Sequence, residues 1–261
     1  MSGAGVAREG SPVTVEVRWA RVGALDADVR ARLLATLSGD ERERYARFRA
    51  GPGRDGFLAA HAVLRAELSR RASVAPQGLR LEARADGKPE LVEPRLTPRL
   101  DFNLTHAHGV VALAMARDAD VGIDVEDVAR RVGIEPLEAR VLSESERRAL
   151  AGLDAVARRR RFFECWTLRE AYAKATGIGM AQTLGVVEFA ITSSGIDLRL
   201  TAASDAPARA RQAPHTGADA PGAWSFHLCD IAPRFVLAVA ARAPAIQVAL
   251  SETKLSDVLP A

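Results

Sequence analysis

The chain has 261 residues, 48% hydrophobic and 26% charged, the balance of an ordinary soluble protein large enough for one big domain or two modest ones. No apolar run approaches the length of a membrane span, and Cys165 and Cys229 lack metal-type spacing, so both are expected as reduced thiols. A net charge of +3 tolerates an anionic partner without selecting nucleic acid, phosphate ligand or acidic protein.

In chain order, the opening "MSGAGVAREGSPVTVEV" has no apolar segment of secretory type, which points to the cytoplasm. "SPVTVEVRWARV" alternates from Val13 to Val17 and predicts a strand. "LDADVRARLLATLSGDERERYARF" reads as helix with a break at Ser38-Gly39, and "RDGFLAAHAVLRAELSRRA", after the punctuation of "GPG", as a strongly amphipathic helix. "LRLEARADGKPEL" predicts a strand and turn, "RLDFNLTHAHGVVALAMA" two strands about a tight turn, and "VGIDVED" another strand. The second half repeats this grammar loosely: helices in "EPLEARVLSESERRAL" and "AVARRRRFFECWTLREAYAKAT", strands in "VVEFAI", "IDLRLTA", "WSFHLCD" and "RFVLAVAAR". Residues 202–222, rich in Pro, Ala and polar side chains, predict a mobile loop, and the residues from 244 a tail. The expected fold is α+β, with an N-terminal lobe over 1–118, a C-terminal lobe over 119–243 and the tail over 244–261.

Three places carry candidate chemistry. Of 36 basic residues only Lys88, Lys174 and Lys254 are lysines. Lys174 follows Glu170 by one helical turn, in a row with Phe162 and Trp166, so the acid flanks an aromatic stripe. Such a row is either a helix-stabilising pair contributing about 0.3 kcal/mol or part of a site. In "GIDVE", Asp124 and Glu126 share one strand face, with Ile123 and Val125 on the other and Asp127 turned away from Glu126. Two adjacent carboxylates suit either a solvated edge or a hard cation such as Mg²⁺, which often shares its coordination with substrate phosphates. His106 closes the strand "FNLTHAHG" beside Thr105, and Lys88 sits at the turn of "DGKPE"; each is a plain turn residue or a donor to phosphate oxygen. The Arg-rich "RERYARFRAGPGR" and "ARRRR" lack the interleaved aromatics of a nucleic-acid platform and read as solvated helix faces.

In their order, "GKP", "FNLTHAHG", "GIDVE" and "FFECWTLREAYAKATGIG" resemble the Sfp-type 4′-phosphopantetheinyl transferases, whose signature includes a G-[IV]-D-[IV]-E strand and a W-x-x-[KR]-E-[AS]-x-x-K helix. The resemblance runs from Gly87 to about Gly179. It implies two α+β lobes related by a pseudo-twofold axis, with coenzyme A in the cleft between them and no nucleic acid or membrane partner. It also implies a monomer that transfers phosphopantetheine to a serine of an apo carrier protein and releases 3′,5′-ADP. Asp124, Glu126 and Glu170 match the family's Mg²⁺ positions, Lys174 its phosphate-contacting lysine, and Glu170 its candidate general base. Lys88, Thr105 and His106 match positions at the coenzyme A phosphates, with Thr105 replacing the commoner Ser and Arg169 the commoner Lys. Arg44 matches a basic nucleotide-phosphate contact. Gly56 stands where the family usually has Arg, which leaves Arg54 as the candidate for that charge. Ser145-Glu146 resembles a further acidic position before the signature helix. A coenzyme A-binding relative without transferase activity is the alternative.

Overall fold

The computed structural model describes residues 11–200 and 221–258. Strand β1 (Val13–Arg21) leads through helices α1 (Ala27–Thr36) and α2 (Gly39–Arg47) to the long helix α3 (Pro52–Ala72). A peripheral hairpin, β2 (Arg80–Ala83) and β3 (Pro89–Glu93), and a central one, β4 (Leu100–Ala107) and β5 (Val110–Arg117), complete the first half. The second half runs through β6 (Val121–Asp127), α4 (Glu135–Val141), α5 (Glu144–Ala151), the long helix α6 (Ala155–Thr176) and the single turn α7 (Met180–Thr183). It then repeats the two hairpins as β7 (Val187–Thr192) with β8 (Gly195–Leu200), and β9 (Ser225–Ala232) with β10 (Phe235–Ala241). The α+β class is as expected, and nearly every predicted element is present. All but the last two residues of the loop predicted over 202–222 lie outside the described residues.

The stretch from 244 is not a loose tail. Residues Ile246–Glu252 form β11, which pairs in parallel with β1 at the edge of a sheet ordered β11-β1-β5-β4. Its alternation is half polar, so it reads weakly in sequence and is held by the ladder that β1 offers. The second sheet is β6-β10-β9. Their inner faces meet in one core: Val15, Val17 and Trp19 of β1 and Ala112 and Ala114 of β5 pack with Ile123 and Val125 of β6 and Leu237 and Val239 of β10. On the outer faces α3 covers β4 and β5, and α6 covers β10 and the β7–β8 hairpin. The central strands are buried on both sides, hence their near-continuous apolar runs.

The two halves repeat a local device. Ser38 caps α2 and Ser143 caps α5, each in a capping box with a Glu three residues on, Glu41 and Glu146. Each Glu accepts from an arginine of the following long helix, Arg65 or Arg169, and each arginine also donates to backbone carbonyls beside the next hairpin, Leu79 or Val187. Aligned on Leu64-Arg65 and Leu168-Arg169, the halves differ where helix crosses strand. In the first, Glu16, Glu67 and Arg71 form an ion cluster there. In the second, the corresponding residues are Gly122, Ala171 and Ala175. A Cβ built at Gly122 would lie 2.0 Å from the Ala171 carbonyl oxygen and 2.5 Å from the Ala175 nitrogen, so α6 rests directly on the backbone of β6. Substituting Gly122→Ala is expected to destabilise the protein by about 3 kcal/mol, through forced separation of α6 from β6; urea denaturation against wild type checks this.

Candidate active site

Because α6 lies on β6, side chains from both elements reach one point. Lys174 Nζ donates to Asp124 Oδ1 at 2.7 Å and to Thr105 Oγ1 at 3.2 Å, and the Thr105 hydroxyl donates to Asp124 Oδ1 at 3.0 Å. Thr105 arrives by a side-chain zipper between β4 and β6. Asp101 Oδ2 accepts from the Val121 N–H at 2.8 Å and Asn103 Oδ1 from the Ile123 N–H at 3.2 Å, so every second residue of β4 reaches across to β6. Asp124, Glu126, Glu170, Lys174, Thr105 and His106 line a single cavity of about 640 Å³, together with Arg130 and Trp166.

The acids of this cavity are poorly compensated. Asp124 is only 5% exposed, and its second oxygen, Oδ2, is buried without a hydrogen-bond partner. Burial, then repulsion from Asp124, pushes the Glu126 carboxyl up to about 7. The same two causes raise Glu170, with Lys174 opposing them. His106 is held below the usual imidazole value by burial and by the Lys174 ammonium, which favours a neutral ring at pH 7. An orphaned carboxylate oxygen on Asp124, beside two acids that it repels, has the donor chemistry that suits a hard divalent cation, so in kind these residues fit Mg²⁺. Among the described residues no group of three or more His, Cys, Asp or Glu side chains could hold a metal ion as they stand, so the acids would have to draw together around it.

Other expectations need correction. Lys88 does not line this cavity but a neighbouring one of about 270 Å³; it is 6% exposed, and its ammonium is already engaged, donating to Asp101 at 2.5 Å and to the Val121 carbonyl at 2.8 Å. It pins the β2–β3 turn to β4 and β6. Glu146 is structural, its carboxylate accepting from Arg169 at 2.9 and 2.8 Å and from the Phe189 N–H at 2.9 Å in a fully buried cluster. Arg169 thereby ties α5, α6 and β7 together. Arg44 is exposed and lies 5.5 Å from the Phe57 ring, lining a separate cavity of about 440 Å³ between α2, α3 and the β2–β3 hairpin. Arg54 sits over the Tyr45 ring at 4.2 Å and lines neither cavity. At Gly56 a Cβ would come within 3.2 Å of the His106 ring, so α3 packs against the histidine where the resemblance led one to look for arginine. Asp127 binds Arg234 at 3.0 Å and caps the Ala129 N–H at 2.9 Å, apart from Glu126. Cys165 and Cys229 are free thiols pushed up by burial, to about 12 and about 11, which makes them inert.

Residue-level reading missed Arg130, which binds Glu126 at 3.2 Å, and the polar alternation Asp101-x-Asn103-x-Thr105 that forms the zipper. Three polar residues spaced by two in an otherwise apolar strand were the available signal for the zipper; Arg130 had none.

A family model for the 4′-phosphopantetheinyl transferase superfamily matches residues 120–239. The 4′-phosphopantetheinyl transferase HetI of Nostoc sp. is 34% identical over 160 residues, which cover 61% of this chain and 67% of that protein. The chain belongs to the 4′-phosphopantetheinyl transferase superfamily. The phosphopantetheinyl transferase of Thraustochytrium sp. is 32% identical over 179 residues, 64% of this chain and 62% of that one. A crystal structure of holo-[acyl-carrier-protein] synthase from Thermotoga maritima is similar over 48% of this chain and 62% of that chain, at 26% identity and a TM-score of 0.33. The chain thus spans about two thirds of the length of the relatives it matches. No helix among the described residues is long and apolar enough to cross a membrane.

Replacing Lys88 by Met is expected to cost about 3–5 kcal/mol of stability by stranding the buried Asp101 carboxylate. Urea denaturation against wild type checks this.

Proposed function

We propose that this chain transfers the 4′-phosphopantetheine group of coenzyme A to a serine hydroxyl of an apo acyl, peptidyl or aryl carrier protein, releasing 3′,5′-ADP, and that it does so as a Mg²⁺-dependent cytoplasmic monomer. The observation that supports this reading best is the convergence of three incompletely paired acids, Lys174, Thr105 and His106 on one cavity. The cavity is the end of a row. A second one, of about 270 Å³, shares Leu104, Glu170 and Lys174 with it, and shares Gly87, Pro89 and Leu104 with the cavity that Arg44 lines. A long, jointed, multiply anionic ligand fits such a path, with its nucleotide toward Arg44 and its pyrophosphate toward Lys174.

Mg²⁺ held by Asp124, Glu126 and Glu170 would neutralise charge on the pyrophosphate oxygens. The protein's own groups perform the rest. The Lys174 ammonium is on a short tether between Asp124 and Thr105, placed to donate to an oxygen of the phosphate under attack. A neutral His106 donates one ring N–H to another phosphate oxygen, at the rim where β4 ends. Glu170 makes no ion pair among the described residues, and burial raises its proton affinity. It is the candidate to take the proton of the attacking serine, directly or through one water, on a carboxylate oxygen that the cation would leave free. The serine oxygen attacks the β-phosphorus, the bond to the α-phosphate oxygen breaks, and 3′,5′-ADP leaves.

Incubation with coenzyme A, Mg²⁺ and a panel of apo carrier proteins should add one phosphopantetheine to a serine, read by intact mass. Asp124→Ala and Glu170→Ala are each expected to lower that rate by about a hundred-fold or more while the protein stays folded. Lys174→Arg is also expected to be impaired, because the guanidinium fork places its charge differently; wild-type turnover in all three would refute the assignment.

A pH dependence follows from Glu126. Its folded-state value of about 7 lies above its ordinary 4.5, so the folded protein holds a proton that the unfolded chain has already lost. Metal-free stability should therefore fall as pH rises between those values. Added Mg²⁺ should raise the melting temperature more at about pH 8 than at about pH 5.5, because the ionised acids it binds dominate only at the higher pH; differential scanning fluorimetry reads the contrast.

A further inference from the structure

The three acids of the cavity are held in different ways. Asp124 is bound to Lys174 and Thr105, while Glu170 has no ion-pair partner among the described residues. Glu126 has partners of its own: Arg130 Nη1 lies 3.2 Å from its Oε2, and the indole N–H of Trp166 donates to it. The Arg130 guanidinium itself rests on an aromatic shelf, 5.0 Å from the Phe163 ring centre and 5.6 Å from that of Trp166.

This ion pair differs in kind from the structural ones. Arg169 grips Glu146 with contacts to both carboxylate oxygens and is wholly buried. Arg130 touches Glu126 at one point, and its side chain is 37% exposed. A single-point, partly solvated pair is the weak class of salt bridge. The aromatic support of Arg130 comes from α6, not from Glu126. Glu126 thus has a cationic partner of its own, and among the described residues the three acids do not form a group that could hold a metal ion as they stand.

We propose that Arg130 is the resident counter-ion of Glu126, occupying this carboxylate while the cleft lacks a divalent cation and being displaced when one binds. Arg130 is thereby a positioning residue that sets how readily the cation site closes. The guanidinium stays on Phe163 and Trp166 after displacement, so the exchange moves one carboxylate and leaves the backbone in place. The inference rests on the reading of Asp124, Glu126 and Glu170 as cation ligands given above.

The test uses Mn²⁺ as the probe, titrated into the full chain at about pH 8 and followed by the electron paramagnetic resonance signal of the free ion. With the competing cation gone, Arg130→Ala and Arg130→Gln should bind Mn²⁺ roughly five-fold more tightly than wild type. Arg130→Lys, which keeps a charge on the shelf, should stay near the wild-type value. The Gln variant retains the stem and one donor, which guards against loss of fold through exposed aromatics. Equal or weaker binding in the Ala and Gln variants, with wild type still binding, overturns the counter-ion role alone. Absence of Mn²⁺ binding in wild type overturns both this inference and the cation-ligand reading beneath it.

Discussion

Helix α6 can approach β6 as closely as it does because Gly122 has no side chain, with the Ala171 carbonyl and the Ala175 amide seated where a Cβ would be. From that contact the rest of the cleft follows. Glu170 and Lys174, on the turns of α6 adjoining the contact, come level with Asp124 two residues along β6, and an ammonium on a flexible stem closes the remaining distance to 2.7 Å. The first half of the chain shows the alternative. Its helix–strand crossing is filled by Glu16, Glu67 and Arg71, with Arg18 and Arg70 completing the pairing of the two acids, so neither is left for chemistry. One fold plan, used twice, thus supports one candidate site.

Charge satisfaction separates scaffold from site. The buried pairs Arg169–Glu146 and Lys88–Asp101 each add backbone partners, and in both the carboxylate is satisfied on top of its ion pair. Such pairs are costly to break and contribute specificity of packing more than net stability. Around Asp124 the bookkeeping is deliberately incomplete: one carboxylate oxygen has no partner, and two neighbouring acids are raised by burial and by Asp124 itself. Perturbed acids in a cavity are a mark of function, and here they are also the electrostatic reason a cation is wanted.

Much of the architecture was legible because it rests on local rules. Alternation located β1 and β4, short apolar runs located β5 and β10, and the i,i+4 row placed Trp166, Glu170 and Lys174 on one helix face, whereas the break between α4 and α5 inside "EPLEARVLSESERRAL" was missed. Strand β11 was not legible: its pattern is half polar, and its pairing with β1 spans nearly the whole chain. Lys88 misled for a related reason. A lysine beside a turn glycine looks solvated, and nothing local says that Asp101 and the Val121 carbonyl wait for it across the fold. Arg130 lies in an unremarkable basic stretch, and its aromatic shelf comes from a helix that begins some 25 residues later.

By itself the amino-acid order determined which side chains share a strand face or a helix face, because those periodicities depend only on neighbours in the chain, and its motifs pointed to the family. Tertiary structure alone decided which of those charges are spent on the scaffold and which stay unspent in the cleft. A carboxylate or ammonium becomes structural or chemical according to the partners that long-range packing brings within hydrogen-bond reach, and those partners are not its sequence neighbours.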